Sequence, residues 1–531
     1  MHSADKIQIL KAENKTLETH VSDLTKANDT LIKKQAILEA QLTDLLQQFK
    51  QMQRARFGSQ SERYVDSING QQGLFHDEVS DLSLKDDEDL DDDEPDPPPK
   101  KKKKKKAIAD YNHLPMREEI IPVTNDEKTC ACGCTKTVIG HEEKWTLNYI
   151  PAIVERVCQK REKVACPRCK DTISTAESPA HILPKSVCSP ELLSHIVVSK
   201  CIDRQPLYHL SKQFELRHGV ELSRQTLAKW VIEASKQMMP LVNLFFDEIS
   251  AYHLSAIDAT SIQVLREEGR KATTSSYMYC VRGGPIEKRV IAYAYNASSH
   301  KAFVSELFAG YCGDIHSDAQ DIFTNLNNIE GINMSYCNAH ARRKFEGIAK
   351  QSPSDGLAHH AMRVYKKLYD IERRAKRESL NDFERYALRQ EKSKPIMDAF
   401  KQWLEQFKEL TLPQSPLGKA IAYSLNHWTG LSRFLDNGGC EIDNNATERA
   451  IKPLVMARKN FLFSCSVEGA DAIAVFFSLI QTAILHGWEP TAYLTALFKG
   501  IPLCRTFDDY EKLLPWNCQK TVALLPVKRV A

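Results

Sequence analysis

The sequence lacks the features that direct a chain into or across a membrane. Its first residues, MHSADKIQILKAENK, contain no apolar core of a secretory signal, and no uncharged apolar run approaches the roughly 20 residues that span a bilayer. These absences predict a cytoplasmic protein with no membrane partner. The sequence also lacks a large excess of charge of one sign, because the formal net charge is only +3. A nucleic-acid partner would therefore have to be recognised by local basic patches.

Cysteine is not scarce, and several of the 15 cysteines lie close together. In a reducing compartment, close cysteine pairs predict metal ligands before disulfides. The motifs CACGC and CPRC, within residues 108–182, predict a structural zinc ribbon. The first motif is irregular, so the first pair of ligands stays open between Cys130 with Cys134 and Cys132 with Cys134. The full candidate set is Cys130, Cys132, Cys134, Cys166 and Cys169. The isolated thiols of Cys280, Cys312, Cys440 and Cys465 are expected to be buried and free.

Residues 1–56 predict a coiled coil. Leucine recurs every seven residues from Leu10 to Leu45, and Met52 continues the series. Asn14 and Asn28 lie in the companion line, where a polar residue favours a parallel two-stranded pairing in fixed register. We therefore expect a homodimer or a higher oligomer. The alternative is a long amphipathic helix that folds back on its own chain.

Residues 57–107 predict a disordered linker, because blocks of like charge cannot bury a core. Nine acids fall within residues 86–96, and seven lysines occupy residues 100–106. The lysine run could contact DNA phosphates, but the neighbouring acids can mask it, so a solvated linker is favoured over a dedicated DNA patch.

Residues 183–245 predict a helical domain that resembles a helix-turn-helix. One helix ends at His218 and Gly219, and Ser223 is the expected N-cap of the next. Leu222, Leu227, Trp230 and Val231 are expected to form its core face. Many helix pairs of this kind do not bind DNA. If this one does, the residues available to a DNA groove are Arg224, Gln225, Thr226 and Lys229.

From residue 251 the pattern changes to strands. Three successive segments rich in β-formers, then a helix and alternating short strands and helices, predict a ribonuclease-H-like mixed sheet. We assign this α/β catalytic core to residues 246–350 and 437–485. Asp258 falls within its first strand, where a carboxylate is costly unless it has a partner or a metal. Asp318 falls at the end of the fourth strand and Glu448 on a later helix. Each acid alone is better explained as a cap or a surface charge. Together they predict a site for two Mg²⁺ or Mn²⁺ ions, roughly 3.5–4 Å apart.

Several long motifs then identify a family. CNAHARRKF (337–345), DNNATERAIKPLVMARKNFLF (443–463) and YLTALFKGIPLCRTFDDYEKLLPWN (493–517) resemble the insertion-sequence-66 family of DDE transposases. FGSQSER, QPLY, LSRQTLAKWV and the cysteine module agree with it, so the resemblance runs from about residue 40 to residue 517. It implies a catalytic triad of Asp258, Asp318 and Glu448. One departure is that the family's aspartate-glycine-tyrosine is Asp318, Ala319 and Gln320 here. Asp314 and Asp321 are weaker candidates for the second acid.

The chain between the last two acids is too long for a strand and a helix. Residues 351–436 therefore predict a helical insertion, and residues 486–531 a C-terminal helical segment. Cys337 and His340, in CNAH, would need two more ligands to bind zinc, and the sequence shows none, so a structural role near the site is favoured. The basic residues expected to border the site and contact DNA are Arg342, Arg343, Lys344, Arg449, Lys452, Arg458 and Lys459.

The sequence therefore predicts a DNA transposase that cleaves transposon ends and joins them to target DNA by two-metal phosphoryl transfer. The alternative is a catalytically inactive, transposase-derived dimeric DNA-binding protein. The resemblance also implies association with the bacterial nucleoid and accessory transposition proteins encoded nearby.

Overall fold

The structure is a computed structural model that describes residues 153–165, 173–298, 301–351 and 356–518. The predicted coiled coil, the charged linker and the five candidate zinc cysteines lie outside these residues. From Cys158 onward, the described residues belong to one compact unit.

Its first elements are a small hairpin and three helices. The strands β1 (Lys163–Ala165) and β2 (Ile173–Thr175) pair antiparallel. The helix α1 (Pro190–Cys201) begins after Ser189, whose hydroxyl accepts the Leu192 N–H. The next helices are α2 (Leu207–His218) and α3 (Arg224–Ser250).

The turn between α2 and α3 follows the predicted chemistry. Gly219 has a φ of +64°, the left-handed conformation that favours glycine at a helix C-terminus. The Ser223 hydroxyl accepts the Thr226 N–H at 3.1 Å and caps α3. Leu227, Trp230 and Val231 are buried, as predicted. The helix α3 continues to Ser250, past the expected domain boundary at residue 245, and its second half packs on the central sheet and its covering helix.

The centre of the unit is a mixed five-stranded sheet with the order β5-β4-β3-β6-β7. Within this sheet, β4 pairs antiparallel with β3 and with β5, whereas β6 and β7 run parallel to β3. The predicted α/β core is thus observed. The strands are β3 (Leu254–Gln263), β4 (Ser275–Gly283), β5 (Val290–Asn296), β6 (Gly313–Ser317) and β7 (Ile332–Tyr336). Three helices accompany them: α4 (Lys301–Leu307), α5 (Asp321–Thr324) and α6 (Asn338–Ala349).

A run of helices then separates α6 from the segment that carries Glu448. It contains α7 (Leu357–Arg377), α8 (Asp382–Leu388), a π-helical turn (Arg389–Ser393), α9 (Lys394–Lys408), α10 (Pro416–Asn426) and α11 (Trp428–Ser432). The helices α7 and α10 pack on α6, and α11 packs on β7, so this insertion is built onto the β7 side of the sheet.

The chain returns to the sheet through α12 (Asn445–Phe461), which packs on β3 and β4. It is followed by α13 (Val467–Leu485), α14 (Pro490–Gly500) and α15 (Phe507–Glu511). The backbone N–H groups of Ile291 and Tyr293 in the edge strand β5 donate to the hydroxyls of Thr482 and Ser478 in α13. This helix therefore covers the β5 edge of the sheet, whose backbone donors would otherwise lack partners.

The same helix, α13, is long and apolar enough to cross a membrane by length and composition alone. It is a core helix here, because 67% of its apolar window is buried inside the protein.

Two expectations about isolated thiols were wrong. Cys280 and Cys440 are buried, as predicted, but Cys312 and Cys465 are exposed. Cys312 lies just before β6 and Cys465 just before α13, so both lie in connecting segments at the surface.

Candidate active site

The site lies where two neighbouring parallel strands separate. The pairing of β3 with β6 places Ala256 opposite His316 and ends there. Continued by two residues, the same register places Asp258 opposite Asp318. Asp258 therefore lies in β3 just past the end of this pairing, and Asp318 lies one residue after the end of the neighbouring strand β6. Ligands of open α/β sheets bind in crevices at the carboxyl ends of such strands.

Asp258 is half-buried in the middle of β3. Its Oδ1 accepts the N–H of Ala259 at 2.8 Å. Burial is the main cause that raises the pKa of Asp258 to about 7. The nearby charges of Asp318 and Glu448 contribute to this rise, and the Ala259 N–H opposes it. The three predicted acids therefore share one electrostatic environment.

Asp318 follows β6 directly and is 7% exposed. One carboxylate oxygen, Oδ2, accepts a hydrogen bond from the side-chain amide of Gln320. The other, Oδ1, is buried and has no hydrogen-bond partner among the residues that the structure describes. Burial raises the pKa of Asp318, and His340 and Gln320 oppose that rise.

Glu448 lies in the first turn of α12, and the chain before this helix fixes its position. The Asn444 side-chain amide donates to the carbonyl of Ile257, next to Asp258, at 3.1 Å. The backbone N–H of Asn444 donates to Cys337 Sγ at 3.1 Å, and the carbonyl of Asn444 accepts the Glu448 N–H. Asn444 therefore links β3, the start of α6 and the start of α12.

Two residues of α6 contact the Glu448 carboxylate. Arg343 donates to Glu448 Oε2 at 3.1 Å, and His340 Nδ1 lies 3.6 Å from Glu448 Oε1, beyond hydrogen-bond distance. Arg343 also lies 3.2 Å from His340 Nε2. Glu448 thus pairs with α6 and not with the basic residues of its own helix.

The sequence shows no further ligand beside Cys337 and His340, and the structure brings one candidate, Glu448, next to them. Cys337 Sγ, a His340 ring nitrogen and a Glu448 carboxylate oxygen lie within 4.8 Å of one another, close enough to hold one metal ion. The sequence could not show this because Glu448 is more than 100 residues away in the chain. Burial raises the pKa of the Cys337 thiol to about 12, so a bound metal would have to displace its proton.

The acids fit hard divalent cations. Asp318 Oδ1 and Glu448 Oε1 are both buried acceptors without a hydrogen-bond partner in the described part of the chain. Unpartnered carboxylate oxygens next to a half-buried third acid are costly, and a cation would compensate them. Oxygen ligands of this kind suit Mg²⁺ or Mn²⁺.

The predicted DNA-contacting residues near the site have unequal surroundings. Arg449, Lys452 and Lys459 are exposed on α12. Arg458 is half-buried, and its guanidinium donates to the hydroxyls of Thr260 and Ser261 at the end of β3. On α6, Arg342 is half-buried and Lys344 is exposed, with its ammonium 4.3 Å from the centre of the Tyr423 ring.

The predicted groove-facing residues of α3 lie at the start of that helix. Arg224, Gln225 and Lys229 are exposed on the first two turns of α3, and Thr226 is half-buried. Lys229 pairs loosely with Glu233, at 3.8 Å.

Two residues that shape the site were missed by sequence reasoning. The sequence gives Asn444 no evident role beyond the N-cap position of α12, where asparagine is common. Its side chain does not cap the helix and bonds the Ile257 carbonyl instead. Gln320 was noted only as a departure from a family pattern, and its contact with Asp318 depends on the conformation of the turn.

Three family models match the chain. The model described as "Transposase IS66 family" matches residues 185–472, "IS66 C-terminal element" matches residues 478–516, and "Transposase C of IS166 homeodomain" matches residues 44–120. Similar proteins occur in Sinorhizobium fredii (strain NBRC 101917 / NGR234). Uncharacterized protein y4jD is 32% identical over 76% of this chain and 80% of its own length. Uncharacterized protein y4qI is 30% identical over 90% of this chain and 89% of its own length.

Proposed function

Since the chain belongs to the IS66 family of transposases, we propose that it is a DDE transposase that cuts the ends of a DNA element and joins them to target DNA. The observation that carries this proposal is the mutual proximity of the three acids: Asp258 in β3, Asp318 directly after the neighbouring parallel strand β6, and Glu448, which the Asn444 contact with β3 holds near them.

The proposed sheet is ribonuclease-H-like. Three antiparallel strands followed by two strands parallel to the first support that assignment. In this arrangement the first and fourth strands are neighbours, so the sheet itself brings together two acids that are 60 residues apart in sequence.

Asp258, Asp318 and Glu448 would hold the Mg²⁺ or Mn²⁺ ions. When bound, such ions ionise the attacking water and stabilise the charge on the leaving oxygen. Arg343 and His340 would keep the Glu448 carboxylate in place, because both contact it from α6. The water first attacks a phosphodiester at the element's end, and the freed 3′ hydroxyl then attacks a phosphodiester of the target.

The DNA would contact the exposed basic residues of α12, which begin one residue after Glu448. End recognition would use Arg224, Gln225, Thr226 and Lys229 on α3, since an exposed helix N-terminus after a tight turn is the part that enters a major groove. The zinc ribbon, the coiled-coil dimer and the accessory proteins remain proposals from the sequence.

The test is cleavage of a duplex that carries the element's terminal sequence, identified from inverted repeats flanking the coding region. Asp258→Asn, Asp318→Asn and Glu448→Gln should each abolish strand cleavage in Mg²⁺ while DNA binding survives. The matched control is Asp321→Asn, since Asp321 is an exposed acid only three residues after Asp318. Normal cleavage by Asp318→Asn would show that the triad is wrongly assigned.

The second candidate function is an inactive, transposase-derived DNA-binding protein. One observation favours it: the Gln320 amide bonds Oδ2 of Asp318, which leaves only Oδ1 of that carboxylate for a metal. Gln320→Tyr restores the residue that the family has at this position. An inactive wild-type chain that gains cleavage with Gln320→Tyr would establish this second function, and Mg²⁺-dependent cleavage by the wild type would exclude it.

A further inference from the structure

The end of α12 contains an unusual turn. Leu462 has φ +63° and ψ −50°, and the backbone N–H of Phe463 donates to the carbonyl of Phe461 at 2.7 Å. This is a γ-turn with a positive central φ, a rare and strained conformation for a residue with a side chain. Backbone strain of this kind persists only where the surroundings enforce it, and it clusters at functional sites.

The surroundings of the turn enforce it from both sides. The N–H of Leu462 donates to the carbonyl of Arg458 at 2.8 Å, which ties it to α12. Ser464 then joins the end of β3, where its N–H donates to Gln263 and its carbonyl accepts from Leu265. The turn is therefore fixed to the helix that carries Glu448 and to the strand that carries Asp258.

This turn presents apolar side chains to solvent. Leu462 is 64% exposed and Phe463 is 39% exposed, whereas Phe461, the last residue of the helix, is buried. Strain that improved core packing would place these side chains inside. The structure instead holds two large apolar side chains outside the core in a fixed position.

The turn also lies at the end of a helix face that carries two lysines. Lys452, Val455 and Lys459 follow Glu448 at helical spacings of four, seven and eleven residues, so all four residues share this face of α12. Glu448 is the only acid in this helix. A positive helix face that begins at a catalytic acid is complementary to a nucleic-acid strand that extends from the scissile phosphate.

We propose that Leu462 and Phe463 form an apolar wedge that enters the base stack of the bound DNA and separates bases near the cut. Apolar side chains that enter DNA between base steps unstack them in this way. Fourteen residues of helix separate Leu462 from Glu448, about 21 Å at the helical rise. At about 3.4 Å per base pair, this places the separated bases roughly six base pairs from the cut. The inference rests on the proposed function.

The test uses the full chain and a terminal duplex with 2-aminopurine placed in turn at each position within ten base pairs of the cut. Its fluorescence rises when the base unstacks. Two variants are compared with the wild type. Leu462→Gly removes the side chain and relieves the strain, because glycine tolerates positive φ. Leu462→Met keeps an apolar side chain of similar size that is unbranched at Cβ.

We expect wild type and Leu462→Met to raise the fluorescence near the sixth position. Leu462→Gly should raise it much less, because only Phe463 of the wedge remains. This variant should melt at a higher temperature than the wild type and should cleave about tenfold more slowly, since the cost of unstacking the bases is no longer offset in full. A mismatch that already unpairs the DNA at that position should restore cleavage by Leu462→Gly. A residue with only a structural role would not respond to the mismatch.

The results separate this inference from the proposed function. A wild-type chain that neither binds nor cleaves the terminal duplex contradicts the proposed function. A wild-type chain that cleaves without any fluorescence change, or a Leu462→Gly chain that cleaves matched DNA normally, contradicts the wedge alone.

Discussion

The surroundings of Asp258 in the protein disfavour the charged form of its carboxylate. Ile257, just before it, is fully buried, and Cys280, its partner on β4, is buried too. The single hydrogen bond from the Ala259 N–H does not offset its loss of contact with water, because the pKa of Asp258 rises to about 7. Such a residue stabilises a bound cation at the expense of the metal-free fold.

The first prediction concerns the free energy that the charged form of Asp258 costs the metal-free fold. The pKa of Asp258 is higher in the folded protein, at about 7, than its ordinary value of 3.8. The folded state therefore binds this proton more tightly than the unfolded chain. The resulting stability is fully present below about pH 4 and is lost as the pH rises to about 7. Asp258→Asn removes the dependence, so in metal-free buffer it should exceed the wild type in unfolding free energy by up to about 4 kcal/mol above pH 7.

Denaturant unfolding from pH 4 to pH 8 with a chelator measures this difference. Asp321→Asn, the exposed control, should follow the wild type at every pH. Excess Mg²⁺ should stabilise the wild type at pH 8 and leave Asp258→Asn unchanged. A difference between wild type and Asp258→Asn that does not vary with pH would contradict the assigned cause.

At the scale of elements, α12 combines two tasks. Its first turn carries Glu448, and its exposed side carries Arg449, Lys452 and Lys459. Arg458 has a different task, since it donates hydrogen bonds to Thr260 and Ser261 and so fixes the helix to β3.

The second prediction separates these tasks. Each of the three exposed cations that neutralises a phosphate contributes about 0.9 to the slope of log affinity against log salt. Replacing Arg449, Lys452 and Lys459 together by glutamine should reduce that slope by about 2 to 3. Fluorescence anisotropy with a terminal duplex across a salt series measures it.

The matched control is Lys512→Gln, since Lys512 is exposed on the C-terminal segment and pairs with Asp509. Its slope should equal that of the wild type. Arg458→Gln should lower thermal stability through the loss of its bonds to β3. If Arg458→Gln changed the salt slope and not the stability, the division of tasks proposed for α12 would be wrong.

The insertion has its own anchor. Arg389, in the π-helical turn, is fully buried and forms two 2.7 Å hydrogen bonds with Glu372 of α7. It also donates to the carbonyls of Phe434, Asn437 and Cys440, at 2.7 to 2.8 Å. These carbonyls belong to the segment that leads from the insertion to Asn444 and Glu448.

The third prediction follows from that network. Glu372→Gln should leave the buried Arg389 charge without its partner and destabilise the protein by about 3–5 kcal/mol. Arg389→Met, which removes the charge itself, should leave Glu372 free to turn to solvent, because that side chain is 14% exposed. Its cost should be the smaller of the two. Thermal melts of both variants measure this order, and a larger loss for Arg389→Met would show that the bonds to the three carbonyls dominate.

The elements differ in how far the sequence determines them. The five strands, the capped helix α3 and the helical insertion follow from local patterns, since β-formers, a capping serine and charged amphipathic repeats act over a few residues. The position of Glu448 beside Cys337 and His340 does not, because it depends on contacts between segments more than 100 residues apart. The strained turn at Leu462 is equally non-local, as the pairing of Ser464 with β3 holds it.

For the whole molecule, the order of the chain explains how the site forms. Asp258 and Asp318 are positioned by the sheet, whereas Glu448 follows the insertion in sequence, and the chain returns to the sheet through the segment that contacts the insertion. Asn338 in α6 assists this return, because its side-chain amide donates to the carbonyls of Leu431 and Ile442. The site is therefore complete only when the sheet, the insertion and α12 are all in place, so a loss of the insertion should disable cleavage without altering the two aspartates.

The fourth prediction concerns the assembly of the whole chain and rests on residues outside the described ranges. The leucine series from Leu10 to Leu45 predicts a parallel two-stranded coiled coil. Sedimentation equilibrium of the full chain should therefore give twice the 60.3 kDa of one copy. Leu24→Pro should halve that mass, since proline breaks the helix interior by about 3 kcal/mol or more. Leu24→Ile keeps the helix and the apolar seam and should remain dimeric.

Transposition needs two ends held together, so the proline variant should still bind a single end and should lose the joining of paired ends. A proline variant that keeps the doubled mass would instead favour a helix folded back on its own chain, with the dimer formed elsewhere.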